Sequence, residues 1–218
     1  MAIKTVIKES MYDQYLAGLL KGDRLCCGGI VKERCIEGAQ LKDLYVNLFQ
    51  RSLYQVGDLW EQHRISVAVE HLATAITGRV MTIVQPEVFS GPVRDRSIIV
   101  ACVADEYHQL GGRMAADLAE LLGWRGYFLG ANTPIKLLLK MIDEQKPNML
   151  GLSLSVYFNM PALLKALDAI SGSFPGLPIL VGGQAFRSRW GGTTALKKYS
   201  DILYVDTLDA LEKELTRV

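Results

Sequence analysis

The segment from Ser97 to Val103 constrains the fold of this chain more than any other. Its sequence, Ser-Ile-Ile-Val-Ala-Cys-Val, is a continuous apolar run rich in β-branched side chains. Such a run is typical of a strand that is buried on both faces, and strands of this kind occur in parallel sheets covered by helices. Residues 89–218 are therefore predicted to form an α/β domain.

Predicted strands and helices alternate through this domain. Their order predicts a five-stranded, parallel, doubly wound sheet of the Rossmann-like, flavodoxin type. Right-handed crossovers bring the loops that follow the strands to one edge of the sheet, where open α/β domains bind their ligands. The predicted strands are 97–103, 126–129, 149–154, 179–181 and 202–205, and the predicted helices are 111–122, 134–144, 161–170, a broken stretch across 184–199 and a final helix.

Residues 1–88 show helical periodicity instead. From Leu41 to Trp60, apolar residues recur at spacings of three and four, which places them in one stripe on a helix. Ser66 is placed to cap the start of a further helix. Prolines and glycine within residues 85–96 predict a linker that cannot continue a helix. The four predicted helices, which together make a bundle, are 6–20, 23–37, 41–60 and 67–84.

Composition limits the functions open to this chain. It has 218 residues, 50% of them hydrophobic, and its 24 basic and 23 acidic side chains give a formal net charge of +1. Because there is no basic run, direct DNA binding by this chain is not expected. No apolar segment approaches the roughly 20 residues that span a bilayer, and the amino terminus lacks the apolar core of a signal peptide. We therefore expect a soluble, cytoplasmic protein with no membrane association.

The cysteines and the search for catalytic patterns point away from an enzyme. The cysteines at 26, 27, 35 and 102 lack the spacing of a metal site or a disulfide framework, and we expect reduced thiols. No Ser-His-Asp or Cys-His arrangement and no Gly-x-Gly-x-x-Gly fingerprint is present. We do not expect catalysis by this chain, although a methyl-carrier role in a methyltransferase system stays open.

The loop after the first predicted strand contains Glu106 and His108. A carboxylate two residues before a histidine can accept the hydrogen of one ring nitrogen, so that the other nitrogen can bind a metal. Taken alone, a histidine in this place is more often a loop residue with a satisfied hydrogen bond. By the same standard, Trp60 alone would belong to the core of the bundle, and Glu70 and His71 to an ordinary helix face.

Polar and small residues follow two other strands. Ser153 and Ser155 lie at the end of the third strand, and Gly182 and Gly183 lie at the end of the fourth. Because glycines have no side chains, they leave room for a bulky group against the backbone, although a glycine pair after a strand is often only a turn. Together these residues predict a deep slot beside the sheet.

Considered jointly, these residues resemble a known family. They are similar to the cobalamin-binding signature Asp-x-His-x-x-Gly, Ser-x-Leu and Gly-Gly of methionine synthases, mutases and corrinoid proteins. In this chain the corresponding series is Glu106-x-His108-x-x-Gly111, Ser153 and Gly182-Gly183. The resemblance implies that His108 coordinates cobalt from below, after the dimethylbenzimidazole of the cofactor has swung away, and that Glu106 orients the imidazole. The displaced nucleotide tail would enter the slot.

The helical half resembles a narrower group. The series Trp60-x9-Glu70-His71 is similar to the signature of adenosylcobalamin-dependent photoreceptor regulators, in which a four-helix bundle covers the upper face of the corrin. Residues 1–88 would then form a cap around the upper ligand. The implied cofactor-binding residues are Trp60, Val67, Glu70, His71, Glu106, Tyr107, His108, Gly111, Ser153, Ser155, Gly182 and Gly183.

Several positions depart from these signatures. Glu106 replaces the commoner aspartate, a change also found in the light-sensing branch, and Ser155 replaces leucine, which makes the slot more polar. Glu61 stands where well-known photoreceptors carry a histidine that binds cobalt after illumination. His63 is a candidate substitute, although a solvent-facing turn residue is its commoner role. No helix-turn-helix domain precedes the bundle, so we expect the output to pass through a partner or a change in assembly.

Three functions are open at this point. The first is a light sensor that holds adenosylcobalamin, with a protein partner in transcription regulation and with homo-oligomerisation as an option. The second is a corrinoid protein that carries a methyl group between methyltransferases, for which methylcobalamin is the alternative cofactor. The third is a related sensor of haem or another tetrapyrrole. Trp60 and Val67 would crowd the upper face of a carrier, which favours the first function.

Overall fold

A computed structural model of the chain describes residues 7–89, 95–187, 192–199 and 201–217. The chain divides near residue 90 into two compact units. The first unit is helical and the second contains a five-stranded sheet, which confirms the predicted fold class. None of the described helices is long and apolar enough to cross a membrane.

The helical unit buries one face of each long helix. Its core includes Tyr15, Leu19, Leu48 and Phe49, all fully buried. Helix α2 begins at the Asp23 cap, whose side chain accepts a hydrogen bond from the backbone of the first turn. The elements are α1 (Glu9–Lys21), α2 (Arg24–Ile36), α3 (Leu41–Asp43), a π-helical segment (Leu44–Gln50), α4 (Arg51–Glu61), α5 (Val67–Val80), a 3-10 turn (Met81–Ile83) and α6 (Gln85–Val88).

The predicted helix at 41–60 is present, but its middle has π geometry from Leu44 to Gln50. Apolar spacings of three and four fit an α-helix, and they do not reveal where the backbone bonds switch to the i→i+5 pattern. Here Tyr45 and Phe49 are both buried, and their ring centroids lie 5.8 Å apart. Phe49 also packs against Tyr15, with centroids 5.9 Å apart. Aromatic packing therefore anchors this segment to α1.

The prediction of a linker from residue 85 onward was wrong at its start. Residues Gln85–Val88 form helix α6, with Pro86 in its first turn. Proline is tolerated there because the first turn of a helix has no partner for the missing N–H. The part of that stretch from 90 to 94 lies outside the described residues.

The second unit is a parallel sheet in the order β2-β1-β3-β4-β5, which is the flavodoxin-type order. All six residues of the first strand are buried, as its apolar run predicted. Two 3-10 segments, Gln184–Arg187 and Gly192–Lys198, occupy the predicted broken stretch. The remaining elements are β1 (Ser97–Cys102), α7 (Leu110–Leu121), β2 (Arg125–Gly130), α8 (Ile135–Gln145), β3 (Met149–Ser153), a 3-10 turn (Tyr157–Asn159), α9 (Met160–Ser173), β4 (Ile179–Gly182), β5 (Ile202–Val205) and α10 (Leu208–Arg217).

The register of the sheet brings the strand ends to one level. Cys102 pairs with Ser153, Ser153 pairs with Gly182, and Gly182 pairs with Val205. The loops that follow these four strands therefore start side by side at the carboxyl edge of the sheet. Residues far apart in sequence become neighbours at this edge.

The glycine pair at the end of β4 is required by the backbone itself. Gly183 has φ of 122°, and a Cβ built on it would lie 2.1 Å from the carbonyl oxygen of Leu154. A Cβ on Gly182 would lie 2.9 Å from the carbonyl oxygen of Val205. The missing side chains at these two positions let the ends of the neighbouring strands approach the backbone.

Substitution of Gly183 by alanine tests this packing. We expect Gly183→Ala to lower the free energy of unfolding by at least about 3 kcal/mol, because it combines a strained φ with overlap against backbone. Gly172→Ala in α9 is the matched control, since a Cβ there meets nothing within 4 Å, and it should stabilise by about 0.5–1 kcal/mol. Urea unfolding of both variants measures the difference, and equal stabilities would contradict the assignment.

Candidate functional site

The carboxylate of Glu106 is the centre of the site at the carboxyl edge. Its side chain is fully buried. Oε1 accepts hydrogen bonds from the backbone N–H of His108 at 2.9 Å and from His108 Nδ1 at 2.7 Å. Oε2 accepts from the backbone N–H groups of Ser155 at 2.8 Å and Val156 at 2.9 Å. One side chain therefore joins the loop after β1 to the loop after β3.

These bonds keep Glu106 ionised. Burial by itself would raise its pKa, but the hydrogen bonds from the His108 ring and from the backbone of Val156, His108 and Ser155 outweigh burial and lower the pKa to about 2. An ionised carboxylate only accepts hydrogen bonds, so Nδ1 of His108 carries the hydrogen. A metal would then be bound through Nε2, as the spacing of Glu106 and His108 predicted.

Ser153 lies beside Cys102 at the strand ends. Ser153 is buried, and the Cys102 thiol donates a hydrogen bond to the carbonyl oxygen of His108 at 3.9 Å. Burial, followed by the charge of Glu106, raises the pKa of Cys102 to about 12, so this thiol stays protonated. Ser155, which was predicted to make the slot more polar, contributes its backbone N–H to Glu106.

Two adjacent glycines in the first turn of α7 have different surroundings. A Cβ on Gly112 would lie 3.3 Å from Phe128 and 3.4 Å from Cβ of Ser153, so this glycine packs against the sheet. A Cβ on Gly111 would meet no atom within 4 Å. Nothing in the described protein therefore requires glycine at position 111, and the space beside it is open.

Large apolar side chains are exposed on the two loops that Glu106 joins. Tyr107 is 66% exposed and Phe158 is 88% exposed, and Val156 and Tyr157 are exposed to a lesser degree. An exposed cluster of large apolar residues is more informative than single exposed residues, since it indicates a surface that another molecule covers. These side chains therefore offer apolar area to a bound group.

Sequence reasoning missed two asparagines of this edge. Asn132, after β2, accepts a hydrogen bond from the backbone N–H of Asp105 at 2.8 Å. Asn159, after β3, donates to the carbonyl oxygen of Asp105 at 3.0 Å. Asparagine after a strand is common in turns, so the sequence carried no signal that distinguished these two.

In the helical unit, Trp60 and Val67 are exposed, at 44% and 50%. Trp60 lies in the last turn of α4 and Val67 begins α5, and only residues 62–66 separate these helices. Trp60 therefore does not belong to the core, which was its commoner expected role. Val67, Glu70 and His71 share one face of α5, because they are three and four residues apart.

Polar contacts hold the side chains at the start of α5 and the turn after α4. The Glu70 carboxylate accepts hydrogen bonds from Nδ1 of His71 and from the hydroxyl of Thr74. His63 has φ of 57°, and its backbone N–H donates to the carbonyl oxygen of Trp60, which closes α4. The side chains of Glu61 and His63 are exposed.

The structure thus gathers the predicted residues into two sets, one in each unit. Glu106, His108, Ser153 and the Gly182–Gly183 pair meet at the carboxyl edge of the sheet, and Trp60, Val67, Glu70 and His71 lie at one end of the helical unit. Within the described residues, no three His, Cys, Asp or Glu side chains are grouped so that they could hold a metal ion. His108 alone offers a single ligand.

Family models match both units of the chain. A B12 binding domain model matches residues 96–211, and a second B12 binding domain model matches residues 11–85. The chain belongs to the B12-binding domain family. It is a cobalamin-binding domain protein, and its site residues fit that cofactor, since Glu106 fixes the His108 ring, the space at Gly111 is open and apolar side chains are exposed on the same loops.

Relatives of two kinds match this chain. The HTH-type transcriptional repressor CarH of Myxococcus xanthus is 31% identical over 139 residues, which cover 62% of this chain and 45% of that protein. CarA of the same organism, also an HTH-type transcriptional repressor, is 29% identical over 126 residues, or 57% of this chain and 43% of that protein. The chain spans less than half the length of these two relatives.

The other kind comprises corrinoid proteins. Trimethylamine corrinoid protein 1 of Methanosarcina acetivorans is 19% identical over 199 residues, which cover 89% of this chain and 92% of that protein. The solved structure of the Methanosarcina barkeri monomethylamine corrinoid protein aligns with a TM-score of 0.80 and 14% identity, over 96% of this chain and 99% of that one. At that identity, the structural likeness shows the fold alone.

Glu106→Gln tests the central carboxylate. The variant loses the charge that four N–H groups donate to, and we expect a loss of about 2–3 kcal/mol in the free energy of unfolding at pH 7. Because folding lowers the pKa of Glu106 to about 2, the wild-type carboxylate stabilises the fold above the ordinary carboxyl range. That contribution is lost as the pH falls toward 2, so the gap between the two proteins should narrow below pH 4.

Glu120→Gln is the matched control for this prediction. Burial and the neighbouring charge of Asp117 raise the pKa of Glu120, so its carboxylate is destabilised by folding at pH 7. The control should equal or exceed the wild type in stability. Urea unfolding at several pH values measures both variants, and a Glu106→Gln protein as stable as the control would contradict the assigned role.

Proposed function

We propose that this chain is a light-responsive cobalamin sensor that holds adenosylcobalamin and signals through a protein partner or a change in assembly. The exposure of Trp60 and Val67 at one end of the helical unit carries the proposal, because such side chains offer an apolar surface to a large upper ligand. Adenosylcobalamin supplies a cobalt–carbon bond that visible light breaks. The protein would contribute a lower ligand, a surface for the upper ligand and an element with two states.

On the lower side, His108 would hold cobalt through Nε2. Its bond to the ionised Glu106 fixes the tautomer and the ring plane, which strengthens the imidazole as a ligand. Gly111 would leave room for the macrocycle. The tail of the cofactor would pass Ser153, Ser155 and the Gly182–Gly183 pair.

On the upper side, Trp60 and Val67 would contact the upper ligand. The Glu70 carboxylate is held by His71 and Thr74, so it is oriented to accept hydrogen bonds from a polar group. A large adenosyl group would use both the apolar and the polar contacts, whereas methyl or water would use few of them. His63 would be the upper ligand after illumination, in place of the histidine that Glu61 replaces.

Reconstitution with adenosylcobalamin in the dark tests this function. We expect the absorption spectrum and the size of the holoprotein to change under green or blue light. His108→Ala should weaken cobalamin binding by at least about tenfold, and His63→Ala should bind normally in the dark but alter the illuminated spectrum. A holoprotein with no spectral response to light would contradict the proposal.

A second function is supported by the span of the corrinoid relatives. Trimethylamine corrinoid protein 1 matches this chain over 89% of its length and over 92% of its own, whereas the repressors match over part of theirs. A methyl carrier would prefer methylcobalamin and would expose the upper ligand to a methyltransferase. Methyl transfer to or from such a partner, together with that preference in a competition titration, would replace the first proposal with this one.

Gly111→Leu tests whether the open space is the cofactor space. The apo protein should unfold with unchanged or slightly higher free energy, because leucine favours a helix by up to about 1 kcal/mol over glycine. Cobalamin affinity should fall by roughly tenfold or more, which corresponds to about 1.4 kcal/mol. Gly112→Ala provides the contrast, since its Cβ would press on Phe128 and Ser153 and should lower stability. Equal cobalamin affinity of Gly111→Leu and wild type would contradict the placement.

A further inference from the structure

Two strained residues meet at the carboxyl edge of the sheet. Among the described residues, the non-glycine positions with positive φ are His63, Asp105, Asn132 and Lys146. Asp105, at 65°, and Asn132, at 48°, belong to neighbouring loops, and the backbone N–H of Asp105 donates to Oδ1 of Asn132 at 2.8 Å. Residues in this region persist only where the surroundings fix them, and they are concentrated at ligand sites.

Asn132 contacts each of the three residues that precede His108. Its side chain accepts from the N–H of Asp105 and donates from Nδ2 to the hydroxyl of Tyr107 at 3.3 Å. Its backbone N–H donates to the carbonyl oxygen of Glu106 at 2.8 Å. One residue of the loop after β2 therefore binds three consecutive residues of the loop after β1.

Asp105 is held from the opposite side as well. Its carbonyl oxygen accepts from Nδ2 of Asn159, in the 3-10 turn after β3, at 3.0 Å. Both peptide groups of this strained residue are thus bound by asparagine side chains from flanking loops. Since Glu106 follows immediately, the path of the chain into the carboxylate and on to His108 is set before any ligand binds.

We propose that Asn132 is a positioning residue that holds the loop of residues 103–109 in the conformation that presents His108. The inference rests on the proposed role of His108 as the lower cobalt ligand. A loop that is already ordered loses less conformational freedom when its ligand binds. Asparagine suits the position because it adopts left-handed φ more readily than other side chains and brings both a donor and an acceptor.

The test separates the side-chain bonds of Asn132 from its backbone strain. Asn132→Gly keeps the left-handed φ but removes both side-chain bonds, whereas Asn132→Asp keeps the acceptor for the N–H of Asp105. Tyr107→Phe removes only the bond to Nδ2. Lys146→Gly is the matched control, because it relieves a left-handed residue at the end of α8.

Hydrogen exchange of the backbone amides in the cofactor-free protein is the first readout. We expect Asn132→Gly to speed the exchange of the Asp105 and His108 amides by on the order of tenfold, the effect of losing about one hydrogen bond. Asn132→Asp and Lys146→Gly should leave the Asp105 amide near the wild-type rate. Tyr107→Phe should speed the exchange of these amides by less than Asn132→Gly does.

Cobalamin affinity, measured by titration, is the second readout, and it should fall in Asn132→Gly by a similar factor. Unchanged exchange in that variant would overturn the inference whatever its affinity. Faster exchange with wild-type affinity would also overturn it, because the loop would then be ordered without benefit to the ligand. If exchange rises as expected but the wild type itself fails to bind cobalamin, the proposed function fails while the effect of Asn132 on the loop stands.

Discussion

The buried carboxylate of Glu106 is the interaction on which the carboxyl edge of the sheet depends. A charge without solvent contact is costly unless hydrogen bonds satisfy it, and here four N–H groups do so. Two of those donors come from His108 and two from the loop after β3. If either loop rearranged, the buried charge of Glu106 would lose hydrogen-bond donors, which is costly. The same bonds therefore hold His108 in place.

The local half of this arrangement could be predicted from sequence. Glu106 and His108 are two residues apart, a spacing that allows a hydrogen bond between their side chains, and the apolar run predicts the strand before them. The other half is long-range. Backbone N–H groups of Ser155 and Val156 carry no sequence signature, and their approach depends on the register that pairs Cys102 with Ser153. The sequence showed that Gly183 follows a strand. It did not show that glycine is needed there because the carbonyl oxygen of Leu154 lies so close, which depends on the same register.

In the helical unit, the limit of sequence reasoning was of another kind. Apolar spacing predicted the helices, but it did not show that the segment from Leu44 to Gln50 has π geometry, in which Phe49 packs on both Tyr45 and Tyr15 of α1. Trp60 shows the converse. Periodicity assigned it to the apolar stripe, but it lies in the last turn of α4, just before His63 adopts a left-handed φ, and its side chain is 44% exposed.

The sheet unit and the helical unit give different information about function. The bonds around Glu106 serve any lower ligation by His108, so they favour neither a sensor nor a methyl carrier. The distinction must come from the residues offered to the upper ligand. A carrier requires that a partner enzyme reach that ligand, whereas a sensor requires that the protein itself contact it closely enough to register its loss. Under the proposed function, exposed Trp60 and Val67 and the Glu70 carboxylate bound by His71 would meet the second requirement, and their bulk would hinder the approach of a partner enzyme.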